Sequence, residues 1–256
     1  MVTTHIFPHD AKTANVAPGL KPGKDRYDKS SYRPIILTGI FGKMLERHIQ
    51  EKISDYIDTL LSDIISAYRK KYSTNSVLMK LIEDWKNNLD KKKYVGAVLM
   101  DLSKAFDCVP HDLLIAKMHA YNFDRETLTL FFTYLKNRQQ GVKVNNCIHS
   151  YLMIISGVPQ GTILGPILFN LFINDITLFL KNSSLSNYSD DNTISAFGNT
   201  LKELINTLEK ESNIAIKWLD VNDMIANPEK FQAIIINRNP KKCPINEHVK
   251  KLKNML

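Results

Sequence analysis

Cysteine is scarce in this chain: Cys108, Cys147 and Cys243 stand far apart in unlike contexts. They make no disulfide framework and no pair with zinc-site spacing, which excludes a small stapled or zinc-built module and fits a reducing compartment. Cys108 and His111 are spaced like half a zinc site, but no second half exists among the seven histidines. There is no internal repeat and no low-complexity linker, so solenoids and tandem arrays are excluded as well. No apolar run of membrane length survives inspection. The nearest, residues 162–180, contains Asn170, Asn174 and Asp175, and a mid-bilayer Asp costs roughly 2.5–3.5 kcal/mol. It reads as a buried core helix broken near Asn174-Asp175. With no signal peptide, the glycosylation patterns at Asn182 and Asn187 read as chance.

Acidic residues are in deficit. Against 34 Lys and Arg there are 26 Asp and Glu, a net charge of +8 on 256 residues, which suits a polyanionic partner. Much of the surplus lies in clusters at Lys21/Lys24/Arg26, Arg69-Lys70-Lys71, Lys91-Lys92-Lys93, Lys241-Lys242 and Lys250/Lys251/Lys253. The triple lysine at 91–93 reads as a solvated face or strand-edge protection.

The hydrophobic periodicity predicts an α+β chain, rich in helix with a small sheet. Leu45, Ile49, Ile53, Ile57 and Leu60 recur at helical spacing, as do Val77, Leu78, Leu81, Ile82 and Trp85 behind a Ser73 N-cap. Leu113, Leu114 and Met118 mark a third helix, and Leu128, Phe131, Phe132 and Leu135 a fourth. A longer one carries Leu201, Leu204, Ile205, Leu208, Ala215 and Leu219. Strands are expected at 142–144 and 152–155 around an Asn145-Asn146 turn, and at 233–237. Residues 1–30 are Pro-, Gly- and Lys-rich and poorly periodic, and read as loop or partly disordered.

Two segments carry candidate chemistry. Residues 94–100 (Tyr-Val-Gly-Ala-Val-Leu-Met) form a short apolar run that reads as a buried central strand and delivers Asp101 to its exit from the core. Residues 185–188 and 193–197 read as two strands of a hairpin with Asp190-Asp191 at the bend. Alone, an Asp-Asp-Asn turn reads as a solvated loop, and a strand-end Asp as a cap. Together they set three carboxylates on neighbouring strands, where a divalent oxygen-loving cation relieves their repulsion. Such a set can hold two ions roughly 3.5–4 Å apart for phosphoryl or nucleotidyl transfer. Between them lies Ser156-Gly-Val-Pro-Gln-Gly161 with Leu164-Gly-Pro166, a loop leading into an apolar helix from Ile167. It suits a phosphate or nucleic-acid backbone, and equally an ordinary strand-to-helix connection.

Asp101-Leu-Ser-Lys-Ala-Phe-Asp107, Ser156-Gly-Val-Pro-Gln-Gly161 and Tyr188-Ser-Asp-Asp191 occur in the order of the palm motifs of reverse transcriptases. Ser31-Tyr-Arg-Pro-Ile35 and Ala67-Tyr-Arg-Lys70 resemble fingers motifs of that family, and Asn227-Pro-Glu-Lys-Phe231 its post-catalytic motif. The chain thus resembles the reverse transcriptase domain of non-LTR (LINE-like) retrotransposons from about Pro22 to Arg238. It departs from the pattern at Ser189, where Ala is usual, and at Ala67, where Gly is.

The resemblance implies a right-hand polymerase fold. A fingers extension would occupy 1–30, fingers 31–93, a palm of antiparallel sheet backed by helices 94–240, and a basic tail or start of thumb 241–256. The thumb would be absent or incomplete and no endonuclease domain would precede, as in a fragment of a longer element. It implies RNA-directed DNA polymerisation with Mg²⁺ (or Mn²⁺), dNTPs, a DNA primer and an RNA template, at no membrane, in the nucleus or cytoplasm. Asp101, Asp190 and Asp191 would be catalytic and hold the metals, with the main-chain carbonyl of Leu102. Phe106 would lie under the incoming sugar and exclude a 2′-hydroxyl, and Gln160 would approach the nucleotide. Arg33 and Arg69 would meet the triphosphate, and Lys230 would protonate the leaving pyrophosphate. Core packing for Phe106 and surface roles for Arg33, Arg69 and Lys230 compete with these assignments. The alternatives to a polymerase are a catalytically silent nucleic-acid-binding remnant and another Mg²⁺-dependent palm enzyme.

Overall fold

The computed structural model describes residues 5–145, 147–227 and 230–238. The basic clusters beyond 240, the expected tail at 241–256, Cys243, and Asn146 of the expected turn lie outside the described residues. Two compact units interleave along the chain. The first takes the chain up to Leu60 together with Phe106–Phe172, and the second takes Leu61–Ala105 and the chain from Ile173.

The chain opens in the first unit with β1 (Thr13–Leu20), β2 (Tyr32–Leu37) and α1 (Ile40–Leu60), then enters the second with α2 (Thr74–Asp90) and β3 (Tyr94–Asp101). It returns through α3 (Ala105–Cys108), α4 (His111–Ala120), α5 (Arg125–Leu135), β4 (Arg138–Val144), β5 (Cys147–Ile148), β6 (Leu152–Ile154) and α6 (Gly165–Ile173). The second unit is completed by β7 (Ser184–Tyr188), β8 (Asp191–Gly198), α7 (Leu201–Val221) and β9 (Gln232–Ile236).

In the first unit the sheet runs β2-β1-β4-β5, with β6 also on β4. Here the structure corrects the expectation of loop over residues 13–20. β1 pairs antiparallel with β2 and parallel with β4, burying Ala14 and Val16 against Ile36. Its alternation is short and ends at Pro18-Gly19, where pairing with β4 has already stopped at Val16, so Pro18 costs no hydrogen bond to that neighbour. Long-range pairing makes this strand, and local propensity does not announce it. The second hairpin is also longer than expected. β4 pairs with β5 across the turn, while Leu152–Ile154 pairs further back, with Arg138–Gln140.

The second unit holds an antiparallel sheet in the order β7-β8-β3-β9. Val95 to Val98 are all buried because helices cover both faces. Trp85 of α2 donates its indole N–H to Ser195 Oγ at 2.9 Å on one face. On the other, a Cβ at Gly96 would come within 2.7 Å of Leu208 of α7. α2 begins at Ser73, whose hydroxyl accepts from Ser76 N while Ser76 Oγ accepts from Ser73 N, a reciprocal cap worth about 1 kcal/mol. The apolar stretch 162–180 becomes α6 followed by a 3₁₀ turn at Asn174–Leu178, broken where Asn174 and Asp175 were expected to break it. Among the described residues no helix is long and apolar enough to cross a membrane.

Candidate active site

The second unit gathers the carboxylates. β3 ends at Asp101, and the β3–β8 register sets Asp101 directly opposite Asp191. Directly paired residues have Cβ atoms about 4.5–5.5 Å apart, and like charges there repel. β7 and β8 close on the pair Tyr188 and Asp191, which leaves Ser189-Asp190 as a two-residue turn. The Asp191 carboxyl titrates above the usual range, first because it is partly stripped of water and then through the charges of Asp190 and Asp101. The residue as a whole stays exposed, so the like charge is the part of this shift that a counter-ion removes. One cation is already present: Lys230 Nζ lies 2.7 Å from Asp101 Oδ2. It is brought there because Ala226 bridges buried Leu102, Ser103 N donates to Ile225 O and Asn227 N to Asp101 O. Pro228 and Glu229 of the same motif lie outside the described residues.

The hairpin is braced by side chains that sequence reasoning passed over. Asn187, 0% exposed, donates to Ser189 O at 2.8 Å and to Asn192 Oδ1 at 3.0 Å. Asn192 donates in turn to Asp190 O at 3.3 Å. The backbone of Asn187 also pairs with Ile64 and Ser66. A buried Asn inside a strand was the available signal, hidden by its match to a glycosylation pattern. Ser189 takes φ +63°, a first turn position that favours glycine, and its Oγ is 3.0 Å from Tyr68 Oη. Loss of that contact in Ser189→Ala should cost about 0.5–1.5 kcal/mol, and less than that in a Tyr68→Phe background. Urea denaturation reads this directly, and additive costs would mean the two hydroxyls are not partners.

The first unit carries the remaining motif residues. Phe106 stacks on Phe169 with centroids 4.5 Å apart and rings 26° from parallel. The loop 156–161 docks on the segment that follows Phe106: Val158 N donates to Phe106 O at 2.7 Å and Gly157 N to Val109 O at 2.8 Å. Gln160 Nε2 reaches Asp107 Oδ1 at 3.3 Å. His111 is buried with Nε2 2.8 Å from Gly157 O, and burial holds its pKa below the usual histidine value. It braces the loop. Arg33 is exposed on β2 opposite Gly19. Arg69, in the second unit, donates from Nη1 to Ser62 O and Ile65 O, both at 3.0 Å, and lies over the Tyr72 ring.

Asp101, Leu102, Asp190, Asp191 and Lys230 therefore share one end of the second unit's sheet, while Phe106 and Gln160 are joined through residues 106–109 of the first. Carboxylates are the donor type a hard divalent cation prefers, and Asp191 feels the charge of both Asp190 and Asp101. Among the described residues, no group of three or more His, Cys, Asp or Glu is close enough to hold a metal ion.

This antiparallel sheet flanked by helices has the fold of a polymerase palm. Solved structures share the fold. Apo telomerase from Candida tropicalis, truncated from its C-terminal domain, superposes with TM-score 0.64 at 14% identity, over 92% of this chain and 52% of that one. The family model for reverse transcriptase (RNA-dependent DNA polymerase) matches residues 20–253, and the chain belongs to that family. The probable RNA-directed DNA polymerase from transposon BS of Drosophila melanogaster is 29% identical over 239 residues, 90% of this chain. The RNA-directed DNA polymerase from mobile element jockey of Drosophila funebris is 28% identical over 247 residues, 93% of this chain. These alignments take in 26% and 27% of the two relatives, so the chain spans about a quarter of their length.

Proposed function

We propose that the chain is the catalytic core of an RNA-directed DNA polymerase of a non-LTR retrotransposon, adding dNTPs to a primer 3′-hydroxyl on an RNA template. The observation that carries this reading is the register of Asp101 opposite Asp191, with Asp190 in the turn between β7 and β8. In this reading residues 31–93 act as fingers and 94–240 as palm. That division is by role, whereas compactness interleaves the chain.

Asp101, Asp190 and Asp191, with the Leu102 carbonyl, would hold Mg²⁺ or Mn²⁺, which when bound lowers the pKa of the primer hydroxyl and neutralises the triphosphate. Lys230, 2.7 Å from Asp101, exchanges that carboxylate for the leaving pyrophosphate and gives it a proton. Gln160 offers an amide donor and acceptor to the incoming nucleotide, and Arg33 and Arg69 offer planar forks to its phosphates. Phe106, held by its stack on Phe169, closes the space a 2′-hydroxyl would need.

Primer extension on an RNA template, with dNTPs and Mg²⁺ or Mn²⁺, tests the proposal. Retained primer–template binding without extension would select the silent remnant. Phe106→Val should lower the dNTP-over-rNTP ratio of kcat/KM by at least about tenfold. An unchanged ratio would remove the gate and leave Phe106 as a packing residue.

A further inference from the structure

We infer that Glu46 is a positioning residue: its buried carboxylate fixes the backbone of the loop that presents Gln160. The inference rests on the reading of Gln160 as a nucleotide contact. Glu46 lies on α1 yet is 1% exposed. Its Oε2 accepts from Ile163 N at 2.6 Å and Leu164 N at 3.4 Å, the two amides just before α6. A carboxylate suits that position, since the N-terminus of a helix presents unpaired N–H groups and positive dipole.

The rest of the loop is tied to the same atoms. Tyr134 Oη donates to Glu46 Oε1 at 3.3 Å and to Thr162 Oγ1 at 3.2 Å. Thr162 Oγ1 in turn donates to Pro159 O at 2.7 Å and accepts from Gly165 N at 3.1 Å. Gln160 sits inside this clamp, with its own carbonyl accepting from Ile36 N of β2 at 3.3 Å. Burial raises the Glu46 pKa, opposed by the loop amides and by Arg138. The Arg138 guanidinium is 1% exposed, donates to Tyr134 O and lies over the Tyr134 ring. A leucine at 46 would fill the same space at less cost in desolvation. What only the carboxylate supplies is a fixed acceptor for two amides of the loop.

Glu46→Leu keeps the volume and removes both acceptors. In steady-state extension it should raise the KM for dNTP about tenfold, with kcat changed less than about threefold and primer–template affinity unchanged. Adding Gln160→Ala to it should cost less than about twofold more, because both changes act through one placement. By hydrogen exchange, the amides of Ile163 and Leu164 should exchange at least about tenfold faster than in wild type, with α7 unchanged. A variant that fails to fold is replaced by Tyr134→Phe, which removes only the shared hydroxyl and should raise KM about threefold. Unchanged exchange, unchanged KM, or multiplying effects of the Glu46 and Gln160 variants would overturn the inference. A wild-type chain with no extension overturns the polymerase reading instead, and exchange at Ile163 and Leu164 then decides the clamp on its own.

Discussion

Asp190→Asn should abolish primer extension, by about 10³-fold or more, while leaving the fold as stable as before or more so. Asn is tolerated in turns, and the Asn192 bond goes to the Asp190 carbonyl, which the substitution keeps. What changes is one negative charge beside Asp191 and Asp101. The Asp191 carboxyl has its folded pKa raised above 3.8, so between 3.8 and the higher value the native state binds more protons than the unfolded chain. Stability therefore falls as pH rises through that window, and the loss persists at neutral pH. Removing Asp190's charge should weaken this dependence and leave the part that comes from burial and from Asp101. Mg²⁺ should do the same in the wild type, adding about 1.4 kcal/mol at ten times its Kd, and should do less in the variant. Thermal melts against pH and Mg²⁺, beside the extension assay, separate the cases. Lost activity with lost stability would mean that the hairpin had been broken and its charge never tested.

The carboxylates were legible in the sequence because their placement follows from short-range pattern. A buried apolar run must end where a charge begins, and Asp101 stands at that end. Two alternating segments separated by a polar bend make a hairpin, and Asp190-Asp191 occupies the bend. The long helices were legible for the same reason. What could not be read locally depends on partners distant in sequence. β1 is a strand only because β2 and β4 flank it, and the interleaving of the two units follows from the chain leaving the first at residue 60 and returning at 106. Glu46 was a partial signal. Gly42, Glu46, Ile49 and Ile57 are the buried residues of α1, so a glutamate stands on the stripe that helical spacing reserves for apolar side chains. The stripe shows that it is buried, and only the fold shows that Ile163 and Leu164 need it.

Gly157→Ala should be strongly destabilising. Gly157 has φ +89°, where an L side chain costs about 1–2 kcal/mol. The added Cβ would also stand 2.7 Å from Asp107 O, 2.8 Å from its Cα and 2.9 Å from its carbonyl carbon. All three atoms are backbone, so no rotamer change relieves the clash. The loop must lift from the 106–109 segment, giving up the Gly157–Val109 and Val158–Phe106 bonds and the Gln160–Asp107 contact. Together these should cost about 3 kcal/mol or more, a large part of the roughly 5–15 kcal/mol that holds a typical protein folded. Gly23→Ala is the control. Its φ is +71°, but nothing lies within 4 Å of the new Cβ, so it pays for conformation alone. Urea midpoints at equal m-values give both costs, and their difference isolates the clash. If the two variants agree within about 0.5 kcal/mol, the loop yields without resistance and its close seating on Asp107 does not govern stability. If they differ as expected, extension measured where both variants are folded should fall only for Gly157→Ala, because only that methyl moves Gln160 away from Asp107.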